Sequence, residues 1–354
     1  MPWASHLNDG WVTIDPHKGR KRRAAPQRRA GNERRRGVET LRYILRRLLQ
    51  MIPVLVISVV AIFLLMRLLP GDAALATLGD KIDPKVYEAL KEKMGLNASL
   101  WDQFVIWVGN MFQGDLGTSI IYKEPVSTLV GTRMITTICL ALTATVFTVI
   151  IALPLGYIAG AMKDKLPDVI IRLFALIGLA APSFWVGLVL LIIFGVNLQL
   201  FPVSGWGKTW GEHLYSLVLP GITLAFASIA VIIRNVRNNV VDVRNTDYVD
   251  FGRSKGLSGW VISTGYVLRN ALIPTATLLS MRIIGMLSGS VIIENIFGLP
   301  GIGALLVQAV TGRDYAVVQT CVLVFVIITL VVNLLTDILY SVLDHRIKLG
   351  GDEA

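Results

Sequence analysis

The stretch "LLQMIPVLVISVVAIFLLMRLL", residues 48–69, is an apolar run of bilayer length, with Arg67 near its end. About 20 such residues cross the hydrocarbon core as a helix. Comparable runs recur at 135–160, 170–196, 215–234, 271–293 and 317–342. The pattern predicts six transmembrane helices and an all-α integral membrane protein. Composition agrees. Of the 354 residues, 54% are hydrophobic and 16% charged, whereas soluble domains carry roughly 25% charged residues.

Charge placement predicts orientation. The net charge of +10 is concentrated between Lys18 and Arg47, where thirteen Lys and Arg face two acids, Glu33 and Glu39. A basic stretch ahead of a first span marks the cytoplasmic side and favours contact with membrane lipid. No aromatic stacking platform accompanies it, so nucleic acid is not an expected partner. Lys163 and Lys165, the group from Arg234 to Arg269, and Arg346 with Lys348 all fall on that same side. The opposite loops, 197–214 and 294–316, hold only Lys208 and Arg313. Both termini are expected in the cytoplasm, across a plasma membrane of bacterial or archaeal type. The implied organisation is a disordered basic tail (1–40), a first helix (41–69), an extracytoplasmic segment (70–134), a five-helix core (135–345) and a short tail (346–354).

The extracytoplasmic segment reads as structured. "DPKVYEALKEKMG" opens on an Asp-Pro pair and closes at Gly95, as a short helix does. In "SLWDQFVIWVGNMF", Leu100, Phe104 and Trp107 share a face, joined by Val108. The expectation is a cap packed on the spans, with Trp101 and Trp107 near the membrane interface.

Signs of catalysis are lacking. "GWGKT", Gly205 to Thr209, has Pro202 where a phosphate loop needs glycine. The four histidines show no metal spacing, and Cys139 and Cys321 lie in apolar runs with no CxxC pattern. Ser58, Ser183 and Ser228 have no candidate base beside them. No cofactor is expected, and transport or scaffolding is favoured over an enzyme.

Residues 235–270 form a long, charged stretch between the fourth and fifth runs. Within it, "DYVDFGRSKGL" (Asp247 to Leu257) carries helix punctuation. Asp247 is placed to cap a start, with Asp250 three residues on. Gly256 suits the left-handed position that closes a helix, and Leu257 follows it. The result is a two- to three-turn helix with Tyr248, Phe251, Gly252 and Lys255 around one side. Such a helix suits docking into a groove of another protein. An interfacial helix lying on lipid fits the same residues.

The longer stretch "DYVDFGRSKGLSGWVISTGYVLRNALIP" resembles the cytoplasmic loop of permease subunits of binding-protein-dependent ABC importers. Matching on Gly256 sets Asp250, Phe251 and Gly252 on the family's Glu-Ala-Ala positions, and Tyr266 and Leu268 on its Ile and Leu. Arg269 stands where the motif has proline. "SKGL" and "LRNALIP" are similar to the dipeptide/oligopeptide/nickel branch. So are "LLPGD", "GDLGTS", "AAPSFWVG", "NIFGLPGIG", "GRDYAVVQ" and "NLLTDILYSVLDHRI", from about Leu41 onward. The resemblance implies a type I ABC importer permease fold with a structured extracytoplasmic segment after the first helix. It implies a second homologous permease, two ATP-binding subunits and an extracytoplasmic substrate-binding protein as partners. It also implies that the short helix sits in a cleft of an ATPase subunit. Phe251, Gly252 and Leu257 would pack there, with Tyr248 and Gly256 shaping the helix, and Asp250, Arg253 and Lys255 at the polar rim. The substrate class implied is short peptides, with nickel chelates, opines and oligosaccharides as alternatives.

The fifth run, "SMRIIGMLSGSVIIEN", gives candidates for the translocation path: Arg282, Ser288, Glu294 and Asn295. An arginine inside a span usually faces a bundle interior or a wet cavity. Gly285 and Gly289 form a small-xxx-small pair that suits helix packing. "ENIFGLPGIG" cannot continue a spanning helix and predicts a turn or re-entrant piece. A secondary transporter or channel is the rival class. It would need an ion-coupling acid in the spans, where Asp337 is the main candidate.

Overall fold

The computed structural model describes residues 27–68, 84–93 and 97–343. Twelve helices follow one another through these residues: α1 (Gln27–Leu68), α2 (Pro84–Lys93), α3 (Leu100–Phe112), α4 (Val126–Ala161), α5 (Leu166–Ala180), α6 (Ser183–Asn197), α7 (Trp210–Ser216), α8 (Val218–Arg244), α9 (Asp247–Ser254), α10 (Gly259–Ile296), α11 (Ile302–Thr311) and α12 (Tyr315–Leu343). Extended pairing among them is limited to an isolated bridge, Thr118 to Pro125. Among the described residues five helices are long and apolar enough to cross a bilayer, and the bent pair α5–α6, taken together as one broken span, brings the number to six.

α1 begins at Gln27, inside the basic stretch expected to be disordered. Arg, Gln and Ala are good helix formers and extend the span backward. The start and end signals of α2, Asp83 and Gly95, lie outside the described residues. The third span is not the single helix expected over 170–196. It bends by 108° between α5 and α6. The cause is Pro182: Ala181 before it turns extended (φ −77°, ψ 128°), as residues preceding proline do. The long loop expected over 235–270 is also largely helix. α8 runs on to Arg244 and α10 starts at Gly259, so little more than α9 remains between them.

α8 is the central element. Val236 and Val240 keep its buried face going past the apolar run, and both are fully buried. They press on Gly156 and Gly160 of α4, where an added Cβ would sit 2.7 Å from either valine's Cβ. This four-residue glycine spacing lets the helices touch backbone to side chain. The Gly285/Gly289 pair does not do so: Gly285 meets open space, and only Gly289 touches α8, through Leu224. Ala230 of α8 receives α5 in the same way, at Gly178. α1 is peripheral. It packs on α12 and is braced by α3, whose Phe104 and Trp107 rings lie 5.3 and 6.0 Å from Phe63. Val108 joins that cluster as expected, while Leu100 is exposed. Arg67 donates to Gln103 of α3 at 2.9 and 2.6 Å.

Candidate functional site

α9 is an eight-residue helix between the end of α8 and the start of α10. Thr246 occupies the cap position, and Asp247 is the first helical residue rather than the cap. The other end closes as expected. Gly256 adopts φ +73°. Its N–H donates to Arg253 O at 2.9 Å, and Leu257 N–H donates to Gly252 O at 3.2 Å. This reciprocal pair is the Schellman closure, which requires a left-handed residue at Gly256.

The helix has two faces. Val249 and Gly252 are buried and rest on the core near Ile262 and Leu257. Tyr248, Phe251 and Leu257 stay exposed, Phe251 at 61%. Lys255 Nζ lies 4.5 Å from the Phe251 ring, and Arg253 pairs with Asp250 at 3.0 Å. Gly252 therefore departs from the expected cluster. It lies three residues after Val249, so it shares that residue's inward side. Trp260, which carried no signal in the sequence, is 77% exposed just beyond Leu257.

α9 is tied to the span that follows. The Tyr248 ring stacks on Tyr266 at 6.5 Å, and Asn270 bridges Tyr248 Oη (3.4 Å) and Tyr266 O (2.7 Å). Tyr266 sits in a π-helical stretch, Ile262–Leu268, and Pro274 follows within the same helix. Asn235 and Asn239 of α8 converge there. Asn239 donates to Ala271 O at 3.2 Å, and Thr275 donates to Asn235 Oδ1 at 3.0 Å. These contacts supply polar partners next to a proline-interrupted ladder.

On the same half of the molecule, Asp168 near the start of α5 is fully buried. Arg237 of α8 grips it through Nη2 (2.9 Å) and Nε (3.2 Å), Arg172 adds a contact at 3.3 Å, and the Asp164 N–H donates at 2.9 Å. Nothing in the local sequence announces this clasp, because Asp168 and Arg237 stand 69 residues apart.

At the other end of α10 the path candidates separate. Ser288 and Asn295 lie on an exposed stripe with Met281, Gly285 and Ile292. Arg282 is half-buried on its flank, with no ion pair among the described residues. Glu294 faces the other way and is fully buried. Its Oε1 accepts from Thr137 at 2.7 Å, and its Oε2 from the Ala304 N–H at 3.0 Å. Thr137 Oγ1 in turn accepts the Ile302 N–H at 2.9 Å. A carboxylate at a helix start satisfies unpaired N–H groups and suits the helix dipole. Glu294 thus caps α11 from a distance, and Gly301 is needed because a Cβ there would overlap its carboxyl group. The "NIFGLPGIG" turn is accordingly folded onto protein. Asp314 plays the same part for α12. It accepts from Ser119 Oγ (2.5 Å) and the N–H groups of Ile120 (2.9 Å) and Val317 (3.4 Å).

Family models agree with this architecture. Residues 152–349 match the binding-protein-dependent transport system inner membrane component, and residues 40–141 match its N-terminal companion. The chain belongs to this family. It is a permease subunit of a binding-protein-dependent ABC importer, a membrane protein and not an enzyme, in a family whose ATPase activity resides in separate subunits. The dipeptide transport system permease protein DppB of Lactococcus lactis is 36% identical over 87% of this chain and 100% of its own length. The oligopeptide permease protein AppB of Bacillus subtilis is 37% identical over 86% and 99%. The glutathione permease protein GsiC of Escherichia coli is 35% identical over 87% and 99%. A crystal structure of the MetNI methionine ABC transporter, inward facing, has a fold like this one. Its TM-score is 0.52 at 15% identity, over 61% of this chain and 97% of that one.

Proposed function

We propose that this permease imports short peptides, paired with a second homologous permease, two cytosolic ATPase subunits and an extracytoplasmic binding protein. Both termini and α9 lie on the cytosolic side in this reading, in keeping with the Lys and Arg placement. The peptide assignment draws support from relatives named for dipeptides, oligopeptides and glutathione. Nickel chelates, opines and oligosaccharides find no such support among those relatives.

The carrying observation is α9. It exposes an aromatic knob, Phe251, on a short helix closed at Gly256 and tied through Tyr248 and Tyr266 to a proline-containing span. Exposed aromatics on a rigid helix are the anchors of helix-in-groove recognition. α9 docks in the ATPase cleft through Tyr248, Phe251 and Leu257. Asp250, Arg253 and Lys255 form the rim, and Gly252 seats the helix on its own chain. Along the route, Ser288 and Asn295 line the open side of α10 with Arg282 beside them.

The test is Phe251→Glu in the assembled importer. ATP-driven peptide uptake and co-purification of the ATPase subunits should fall at least tenfold. Amide exchange across α9 should stay unchanged, which separates lost docking from lost folding. Full retention of both activities would remove α9 from the coupling role.

A further inference from the structure

A groove of about 530 Å³ lies between α5 and α8. Its polar end carries Arg172, Arg234, Arg237 and Asn238, and its long wall is aliphatic, with Leu173 and Leu176 exposed along α5. Among the described residues, Asp168 forms the ion pairs with these arginines, shared by Arg172 and Arg237. Arg234 is exposed and has neither ion pair nor hydrogen-bond partner among the described residues. The cluster is therefore cationic beyond what Asp168 neutralises.

Two features bring water to the ends of this groove. Arg234 and Arg237 stand at and beyond the end of the apolar run of α8, on the side where the Lys and Arg placement sets water. The α5 wall also ends at the 108° break, where the backbone of Ala181 is extended. Non-helical backbone at membrane depth is tolerated where it is buried in protein or lines a water-filled space. A wet groove with one aliphatic side and one uncommitted guanidinium suits an amphiphilic anion. Its volume falls within the range of small-molecule sites.

We infer that this groove is a station on the transport route, where Arg234 receives the C-terminal carboxylate of a peptide and the α5 leucines receive its side chains. The inference rests on the peptide reading above and goes beyond it by naming a site and the group recognised. Arg237, held by Asp168, acts as a positioning residue that keeps α5 and α8 in register beside Arg234.

The experiment uses the whole importer in nanodiscs and a tripeptide bearing benzoylphenylalanine with a free C-terminus. Irradiation followed by peptide mapping should place adducts on α5 and α8. Amidating the peptide's C-terminus, or substituting Arg234→Gln, should each lower those adducts about tenfold, the scale of one charged hydrogen bond. Arg234→Lys should restore part of the loss. Adducts equally strong with the amidated peptide would overturn the carboxylate assignment. Adducts elsewhere, in an importer that still takes up the peptide, would overturn the groove and leave the importer reading standing. Loss of a co-purifying anionic phospholipid from Arg234→Gln, with peptide adducts unchanged, would assign the groove to lipid. If the wild type shows no ATP-driven uptake of the peptide, the peptide reading fails and this inference fails with it.

Discussion

Gly256→Ala isolates the closure of α9 from everything else in the molecule. The residue sits at φ +73°, and a Cβ built there meets nothing within 4 Å. Steric clash with neighbours is therefore absent, and the cost is the backbone conformation alone. For a residue with a Cβ, that conformation costs about 1–2 kcal/mol. Two hydrogen bonds depend on it, Gly256 N–H to Arg253 O and Leu257 N–H to Gly252 O. If opening of the last turn relieves the strain, the open population rises roughly 5- to 30-fold. Amide hydrogen exchange at residues 255–257, in detergent or nanodiscs, measures this directly. Gly256→Asn should show a smaller rise, since asparagine tolerates the left-handed region. Gly252→Ala should show none, because its Cβ would meet Leu257 and Ile262 at ordinary distances of 3.6 and 3.9 Å. Equal exchange in Gly256→Ala and wild type would refute the closure, and so would an asparagine variant as loose as the alanine one.

Asp168→Asn removes the charge that holds Arg237 and should lower stability by about 3 kcal/mol; thermal melts that match wild type would show the clasp to be idle. Gly160→Ala puts a Cβ 2.7 Å from Val240 Cβ and 2.8 Å from Arg237 O, an overpacking cost of about 1–3 kcal/mol. Gly285→Ala meets open space and should stay within about 0.5 kcal/mol in the isolated subunit; the reverse order in denaturation would contradict the packing described. Arg282→Gln should slow uptake of acidic peptides more than neutral ones, and equal rates for both would take Arg282 off the route. At the opposite end, the Lys208 N–H donates to Glu212 and holds its carboxyl below the usual carboxylate range, against a weaker opposing effect of burial. The folded value is the lower one, so this support is complete above the unfolded value and disappears as pH falls through the folded one. Emission of Trp206, stacked on His213, should change over that acid window in a variant retaining only this tryptophan. The same change in Glu212→Gln would clear the carboxylate of responsibility.

The spans were legible because each buries or exposes a long apolar run, and composition alone sets that. The closure of α9 was legible for a different reason: a left-handed position leaves a glycine in the sequence. What stayed hidden depends on partners far apart in the chain. Gly156/Gly160 and Gly285/Gly289 have the same spacing, and only burial against Val236 and Val240 separates the pair that packs at both glycines from the pair that packs at Gly289 alone. Gly252 looked like part of the docking surface because helical spacing defines faces without saying which one turns inward. Val249 decides it, being buried three residues earlier. Glu294 looked like a pathway residue because it ends a span, yet its partners Thr137 and Ala304 belong to α4 and α11. The break at Pro182 was in plain view, but an unbroken apolar run on either side concealed it.

The acids also bear on how this protein is driven. A self-contained secondary transporter needs a carboxyl group in its spans that binds and releases an ion as access alternates. Among the described residues, the three buried acids are each committed to structure: Asp168 to two arginines, Glu294 to the start of α11 and Asp314 to the start of α12. Asp337, the main candidate for such a role, pairs with Arg47 of α1 at 3.2 Å. Releasing any of the three buried acids would leave a buried donor or charge unpaired, at a cost of several kcal/mol. A cycle that paid this at each turnover would have to re-form the same contacts each time. An externally driven cycle avoids it, because the acids can remain engaged while, in the function proposed above, α9 transmits the motion of the ATPase subunits.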